Sequence, residues 1–453
     1  MSKHITIRKG LDIRLKGEPE KILTNANFSS TVALKPTDFH GLTPKMVVKE
    51  GDQVKAGSVI FFDKYNEQVR YTSPVSGEII EIKRGEKRRI LEVKILADQE
   101  VKYESFKQGD PSSLSREEIK SAILESGCWG FIKQRPIDIV ANPAQTPKSI
   151  FISAFDSNPL APDYDFIVHG HGEDFQTGLN AIAKLTDGKV NLTVRGNIKP
   201  SEVFTKSKNV VVNQINGPHP AGNVGTQIHH IDPINKGEVV WVINPQDILT
   251  IGRLFNQGRF DATRIVALTG SQVKSPKYYR TVIGSNIASI THGQVNEGKN
   301  RYVSGNPLTG ETVNSDGYMG FYHNQITVLP EGDEYKFFLT DGWLSPGLNK
   351  FSASRAYPTW LMPKKKFTID TNTNGEERAY VMTGQYEKVF PFDIYPVHLI
   401  KSIMINDIES MENLGIYEVA PEDFAICEFV CTSKIDVQDV VRKGLDVIYR
   451  ECM

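Results

Sequence analysis

The stretch VVKEGDQVKAG, residues 47–57, decides how the first part of the chain is read. Its pattern V-x-x-G-D-x-V-x-x-G suits a tight hammerhead turn: Gly51 and Gly57 take positive-φ positions while Val48 and Val54 point inward. Short alternating segments surround it at 31–34, 59–62, 77–82 and 90–95. Pro36, Pro44, Gly51, Gly57, Pro74, Gly77 and Gly85 separate them. Short strands with tight turns and no helical period predict an all-β module.

With SPVSGEIIEI at 73–82, the stretch reads as the two halves of a lipoyl/biotinyl-like hairpin sandwich, and Lys64 lies between them. A lysine there raises the question of a covalently attached arm. Carrier lysines sit at the tip of a tight hairpin, commonly within DKA or MKM. Here Lys64 is followed by Tyr-Asn-Glu, and the residues from Tyr65 to Ser73 separate it from Pro74, which predicts a longer tip. Covalent attachment at Lys64 is therefore expected to be absent.

The 453 residues allow two to four domains. With 24% charged and 39% hydrophobic residues, the composition is that of an ordinary globular protein. The 53 basic and 54 acidic side chains nearly cancel, so no global field recruits nucleic acid, and none is expected as a partner. No apolar run reaches bilayer-spanning length, and MSKHITIRKGLDI lacks the apolar core of a signal peptide. Cys128, Cys427, Cys431 and Cys452 are too few for a disulfide scaffold, which fits a reducing, cytoplasmic setting.

From Ser115, REEIKSAILESG has Ile119, Ala122 and Ile123 at helical spacing and Gly127 as a stop. Apolar strands and helices then alternate through SIFISAF, FQTGLNAIAKL, VNLTVRG, NVVVNQI, EVVWVIN, PQDILTIGRLFNQG and TRIVALTG. That order predicts a parallel sheet covered on both faces, a Rossmann-like arrangement. RYVSGNPLTGETV predicts strand, turn and strand. Beyond Phe390 the pattern is helical, and the last helix places Val437, Val440, Val441, Leu445 and Ile448 on one face. The fold class expected is a multidomain α/β and β chain. Its parts are an N-terminal segment with the lipoyl/biotinyl-like β module (1–106), a Rossmann-like domain (107–270), a β-grasp (SLBB-like) module (271–330), a mixed connecting region (331–390) and a C-terminal helical domain (391–453).

Four blocks, SPVSGEIIEIKRGEKRRI from Ser73, ESGCWGFIKQRP from Glu125, INGPHPAGNVGTQIHHIDPI from Ile215 and EDFAICEFVCTSKID from Glu422, carry a resemblance spread over nearly the whole chain. The chain resembles the A subunit of the sodium-translocating NADH:quinone oxidoreductase (Na+-NQR). More distantly, its layout is similar to the C subunit of Rnf complexes and the flavin-binding subunit of respiratory complex I. The resemblance implies a peripheral subunit on the cytoplasmic face of the bacterial inner membrane, docked on integral membrane subunits of a translocase that oxidises NADH, reduces quinone and exports Na+. It also implies that flavins, iron centres and NADH lie on partner subunits, that the β module carries no arm, and that the chain alone is not catalytic. A contribution to the quinone site is compatible with this; the alternatives are a purely structural docking and assembly subunit without ligand binding, or an Rnf-type electron-transfer subunit.

Flavin-binding relatives cradle phosphate with a Gly-rich loop after a helix, because backbone N–H groups reach phosphate only where no Cβ intervenes. The matching place keeps Gly127 and Gly130 but fills the rest with Cys128, Trp129, Phe131 and Ile132. A quinone headgroup needs an aromatic wall and donors to its carbonyls, which makes Trp129, Phe131, Lys133, Arg135 and His219 candidate quinone-binding residues. The alternative is that the aromatics plug the vacant flavin pocket. Cys427 and Cys431 keep only C-x-x-x-C of the iron–sulfur run, with Thr432 where Pro would stand, and four thiolates are needed per cluster. Two helical cysteines one turn apart are expected instead.

INGPHPAGNVGT departs from G-x-G-x-x-G, and Pro218 and Pro220 remove N–H donors, so a rigid structural loop is expected. His219, His229 and His230 read as structural histidines or contacts to a bound ring. His169 and His171, beside Glu173 and Asp174, lack a third ligand at metal spacing, and no metal site is assigned. Lys364, Lys365 and Lys366 form a solvated turn or contact lipid headgroups or an acidic partner.

Overall fold

The fold was analysed on a computed structural model, which describes residues 2–342 and 344–452. The first β module closes as a sandwich. Its four-stranded sheet runs Thr31–Leu34, Ile90–Ala97, Gly77–Arg84 and Gln53–Val54, and its three-stranded sheet runs Pro44–Met46, Val59–Asp63 and Asn66–Thr72. Alternation explains the closure: Val69 and Tyr71 face inward while Arg70 between them is exposed. Ile60, Phe61, Ile79, Val93 and Ile95 complete the interior.

The long tip expected around Lys64 does not form. Asp63 pairs with Asn66, so Lys64 and Tyr65 make a tight turn, and most of the residues between Lys64 and Pro74 belong to the strand Asn66–Thr72. Inward-facing Val69 and Tyr71 account for this, because their burial extends pairing to the turn. Lys64 is exposed, its ammonium 5.5 Å from the centroid of the Tyr65 ring. Tip length is therefore no argument against an arm, and the flanking residues are what distinguish this turn from a carrier hairpin.

The α/β part is built on a seven-stranded sheet. His4–Thr6, Val211–Asn216, Lys189–Arg195, Ser149–Ser153 and Val240–Val242 are parallel, and Lys133–Arg135 and Ile139–Val140 add antiparallel at one edge. Uninterrupted apolar strands, buried on both faces, need helices for cover. Gly172–Ala183 and Pro245–Gln257 cover one face, burying Phe175, Leu179, Ile248 and Leu254 against Ile150 and Ile152, and Val224–Ile231 covers Phe151 and Val240 on the other.

Three strands sit elsewhere than the sequence order suggests. Thr263–Thr269, expected to close the Rossmann-like sheet, is central in a separate six-stranded sheet between Gln325–Pro330 and Lys277–Val282. Its apolar run demands burial on two faces but does not name its sheet. Glu20–Asn25 lies at the edge of that same sheet beside Lys277–Val282, and His4–Thr6 edges the seven-stranded one. The N-terminal segment therefore straps three parts together, since Ile13 and Leu15 between these strands enter the C-terminal core. The pair Asn300–Ser304 and Glu311–Val313 forms the expected antiparallel hairpin.

Helices Pro396–Met404, Ile408–Asn413, Ala425–Val430 and Val437–Cys452 make the C-terminal core. Val437, Val441, Leu445 and Ile448 are fully buried on one face of the last helix, and Val440 packs at its margin. Among the described residues no helix is long and apolar enough to cross a membrane.

Candidate functional site

The segment singled out by its aromatic and basic residues starts where the helix Arg116–Glu125 ends. Ser115 and Glu118 close its first turn as a reciprocal capping box. The chain leaves the helix through Gly127 at φ 80°, where a Cβ would lie 2.3 Å from Thr72 Oγ1. Only glycine meets both demands, and the turn Cys128–Phe131 is thereby pressed against the β sandwich.

Trp129 is fully buried, its Nε1–H donating to the Ala141 carbonyl at 2.7 Å and its ring meeting Trp241 edge-on at 5.4 Å. Phe131 stacks on Phe321 at 4.9 Å, Phe321 meets Phe39 at 4.8 Å, and Phe39 meets Tyr71 at 4.2 Å. Each such pair adds about 0.5–1.5 kcal/mol beyond the area it buries. The ladder thus holds the sandwich to the rest of the chain. The Tyr322 hydroxyl donates to the Gly130 carbonyl at 2.7 Å and closes the turn from outside. Neither Trp129 nor Phe131 offers a wall to solvent.

Lys133 and Arg135 share a face of the strand Lys133–Arg135, as residues two apart must. Lys133 is half-buried, its ammonium 4.5 Å from the centroid of the Tyr322 ring and 3.5 Å from Asp138. Arg135 is buried among three carboxylates: Asp138 at 3.4 Å, Glu422 at 2.5 Å and Asp423 at 3.3 Å. Arg442 of the last helix adds a second guanidinium, 3.6 Å from Asp138 and donating to the Ile137 carbonyl at 2.6 Å.

Burial alone would raise Asp138, but Lys133, Arg135 and Arg442 outweigh it and hold its carboxyl below the ordinary range. Asp423 goes the other way: burial pushes it up to about 7 against the pull of Arg135. Its Oδ2 accepts the Ala420 N–H at 2.9 Å. Its Oδ1 lies buried against Gly225, where a Cβ would stand 2.3 Å away.

The GPHPAGNVGT loop meets the same C-terminal segment. Asn223 Nδ2 donates to the Glu422 carbonyl at 3.2 Å. His229 uses both ring nitrogens: Nδ1–H donates to Glu418 at 2.7 Å, and Nε2 accepts the Asp393 N–H at 3.0 Å. His230 Nδ1 contacts the Thr226 carbonyl at 2.9 Å. His219 is buried, with Nδ1 3.1 Å from Ser157 Oγ and its backbone N–H on Asp12 at 2.9 Å. Burial lowers its pKa to about 4, which keeps the ring neutral.

The five residues Trp129, Phe131, Lys133, Arg135 and His219 thus do not line one chamber. Open cavities of about 400, 560 and 620 Å³ lie elsewhere and none of the five lines them. Cys427 and Cys431 lie in the C-terminal core, Cys128 in the main core, and Cys452 is exposed. His171 precedes the helix Gly172–Ala183, and Asp174 is held by Asn256 at 2.8 Å and lies 3.7 Å from Arg253.

Three family models match: the NqrA N-terminal barrel-sandwich hybrid domain over residues 5–98, the NqrA second alpha/beta domain over 114–260, and the NQRA C-terminal domain over 265–315. The A subunit of the Na(+)-translocating NADH-quinone reductase from Pasteurella multocida is 40% identical over 451 residues, which is 99% of this chain and 100% of that protein. Those of Neisseria meningitidis serogroup A and Alcanivorax borkumensis are each 39% identical over the same shares. The chain belongs to this NqrA family. A looser likeness, to an H2-reduced NAD+-reducing [NiFe]-hydrogenase, has a TM-score of 0.39 and 10% identity over 76% of this chain and 63% of that one. That is too distant to bear on fold or function.

Three of the sequence blocks that carry the resemblance therefore meet at one junction, through Arg135, Gly225 and Asp423. The sequence reading missed Asp138, Glu422, Asp423 and Arg442. The available signal was charge inside apolar context: Arg135 and Asp138 flank Pro136 and Ile137, and Asp423 precedes Phe424 and Ala425.

Replacing Arg135 by Met leaves the fully buried Asp423 carboxyl without its guanidinium partner. We expect a loss of about 3–5 kcal/mol, read as earlier urea unfolding and protease release of the C-terminal helices. Asp423 supplies a pH test. Its folded pKa is raised from 3.8 to about 7, so the folded chain holds the proton more tightly than the unfolded one. Stability from this group is complete below the unfolded value and falls as pH rises between them. Asp423→Asn should flatten that fall in melting temperature across the same window.

Proposed function

We propose that the chain is the peripheral, cofactor-free docking subunit of a complex that couples NADH oxidation and quinone reduction to Na+ export, seated on the cytoplasmic face of a bacterial inner membrane. Full-length likeness to proteins named as the A subunit of the Na(+)-translocating NADH-quinone reductase supports membership of that complex. The observation that carries the docking role is the filled turn Cys128–Phe131. Where flavin-binding relatives keep an open Gly-rich loop, Trp129 and Phe131 are sealed between Trp241, Phe321 and Tyr322. Backbone N–H groups there are taken up by protein acceptors: that of Cys128 donates to Ser126 Oγ, that of Gly130 to the Gly127 carbonyl and that of Ile132 to the Trp129 carbonyl. On this reading, flavins, iron centres and the NADH site lie on partner subunits, and the chain contributes shape and contacts.

A direct role in quinone binding is the second reading, and it narrows to Lys133. Of the five candidates this residue alone is half-exposed beside an aromatic face, that of Tyr322, so a donor and a ring are adjacent there. The docking reading is favoured because the other four are buried, with Trp129, Phe131 and Arg135 engaged by protein partners and His219 held through Nδ1, its Nε2 being without a hydrogen-bond partner.

The test has two arms. The chain should co-purify with the integral membrane subunits from detergent extracts, and the purified chain should show no saturable binding of a short-chain ubiquinone. Failure to co-purify overturns the docking role. Saturable quinone binding that Lys133→Met abolishes establishes the second reading instead.

A further inference from the structure

Between Gly332 and Thr371 the chain makes a long excursion from the six-stranded sheet. Its base is closed by the Gly332 N–H on Thr371 Oγ1 at 2.9 Å. Phe367 pins its returning limb: the N–H donates to the Arg14 carbonyl at 2.8 Å, and the carbonyl accepts the Lys16 N–H at 2.9 Å. Internal bonds hold its shape, among them Thr359 Oγ1 to the Lys350 carbonyl at 2.6 Å and Lys365 Nζ to the Leu348 carbonyl at 2.5 Å. Long loops of this kind, tied at the base and folded on themselves, are commonly functional.

The outer surface of the excursion is unusual in two independent ways. Phe337, Phe338, Leu344, Leu348, Trp360 and Leu361 are 43% to 63% exposed, and no other stretch of comparable length among the described residues holds as many exposed large apolar side chains. Scattered surface apolar residues need no explanation, but a concentration does. The same stretch is modestly basic: over residues 332–371 Lys336, Lys350, Arg355, Lys364, Lys365 and Lys366 stand against Asp333, Glu334, Asp341 and Asp370, six against four, with three of the six adjacent at 364–366. Lys336 and Lys366 find carboxylates, Asp370 and Glu18, and Lys364 is exposed.

We propose that this excursion is a lipid-facing anchor: its aromatic and leucine side chains enter the surface layer of an anionic bilayer while its lysines meet the phosphates. The inference deepens the docking role above and rests on it. Lipid is favoured over a protein partner by the lysines. Cores of protein–protein interfaces are depleted in Lys, whereas interfacial membrane segments combine Trp, Phe and Leu with Lys and Arg. Each cation near an anionic leaflet gains attraction that fades within a Debye length, so salt should weaken the contact.

The full chain is sedimented with vesicles of phosphatidylglycerol and phosphatidylcholine, and with phosphatidylcholine alone, at low and physiological salt. We expect binding at least about tenfold tighter to the anionic vesicles, weakening with salt. Lys364→Ser with Lys365→Ser and Lys366→Ser should lose about tenfold or more. Because those lysines also hold the loop, Phe337→Ser with Leu361→Ser, two exposed positions, serves as a second variant. It should weaken binding without changing the salt dependence. Equal binding to both vesicle types, no binding, or variants that bind like the wild type overturn the proposal. Co-purification with the membrane subunits in detergent separates it from the docking role. A chain that co-purifies but ignores vesicles defeats the lipid anchor alone, and a chain that does not co-purify defeats the docking role itself. Variants that lose co-purification in detergent assign the surface to a protein partner and also overturn the proposal.

Discussion

A buried guanidinium is tolerated only where carboxylates and hydrogen bonds replace water, and Arg135 imposes that requirement on three distant parts of this chain. Asp138 comes from the same edge of the α/β sheet, Glu422 and Asp423 from the C-terminal domain, and Gly225 keeps the space that Asp423 occupies. The C-terminal helices therefore do not hang from a linker. They are fastened at a fixed position on the strand Lys133–Arg135, and His229 repeats the fastening through Glu418 and Asp393.

The other modules are tied with comparable economy. The ladder from Tyr71 through Phe39 and Phe321 to Phe131 joins the β sandwich to the two sheets. The first 25 residues thread the seven-stranded sheet, the C-terminal core and the six-stranded sheet in turn. Such mutual anchoring holds the surfaces of the modules in fixed relation. The turn Cys128–Phe131 is part of that anchoring, because Trp129 and Phe131 bind the modules together.

How much of this was legible in the sequence follows from which forces are local. The hammerhead turn, the helix from Ser115 to Gly127 and the buried face of the last helix follow from glycine conformation, capping and period. The sheet that Thr263–Thr269 joins was not legible, because an apolar run specifies burial and not a partner. Likewise the separation of Lys64 from Pro74 could not reveal a two-residue turn, since pairing of Asn66–Thr72 depends on the strand across from it. The aromatic residues of Cys128–Phe131 were visible, but plug and wall differ only in what lies against them. Arg135 was visible as a charge, while two of its three carboxylates, Glu422 and Asp423, lie nearly three hundred residues away in sequence.

The claim that Arg135 and Asp423 act as one unit linking the α/β sheet to the C-terminal domain is tested most directly by a double-mutant cycle. Unfolding of the C-terminal helices would be followed in Arg135→Met, Asp423→Asn and the combined variant. The account expects the double variant to be less destabilised than the sum of the singles by about 1 kcal/mol or more. Additive losses would contradict it and leave the two residues as independent parts of the core.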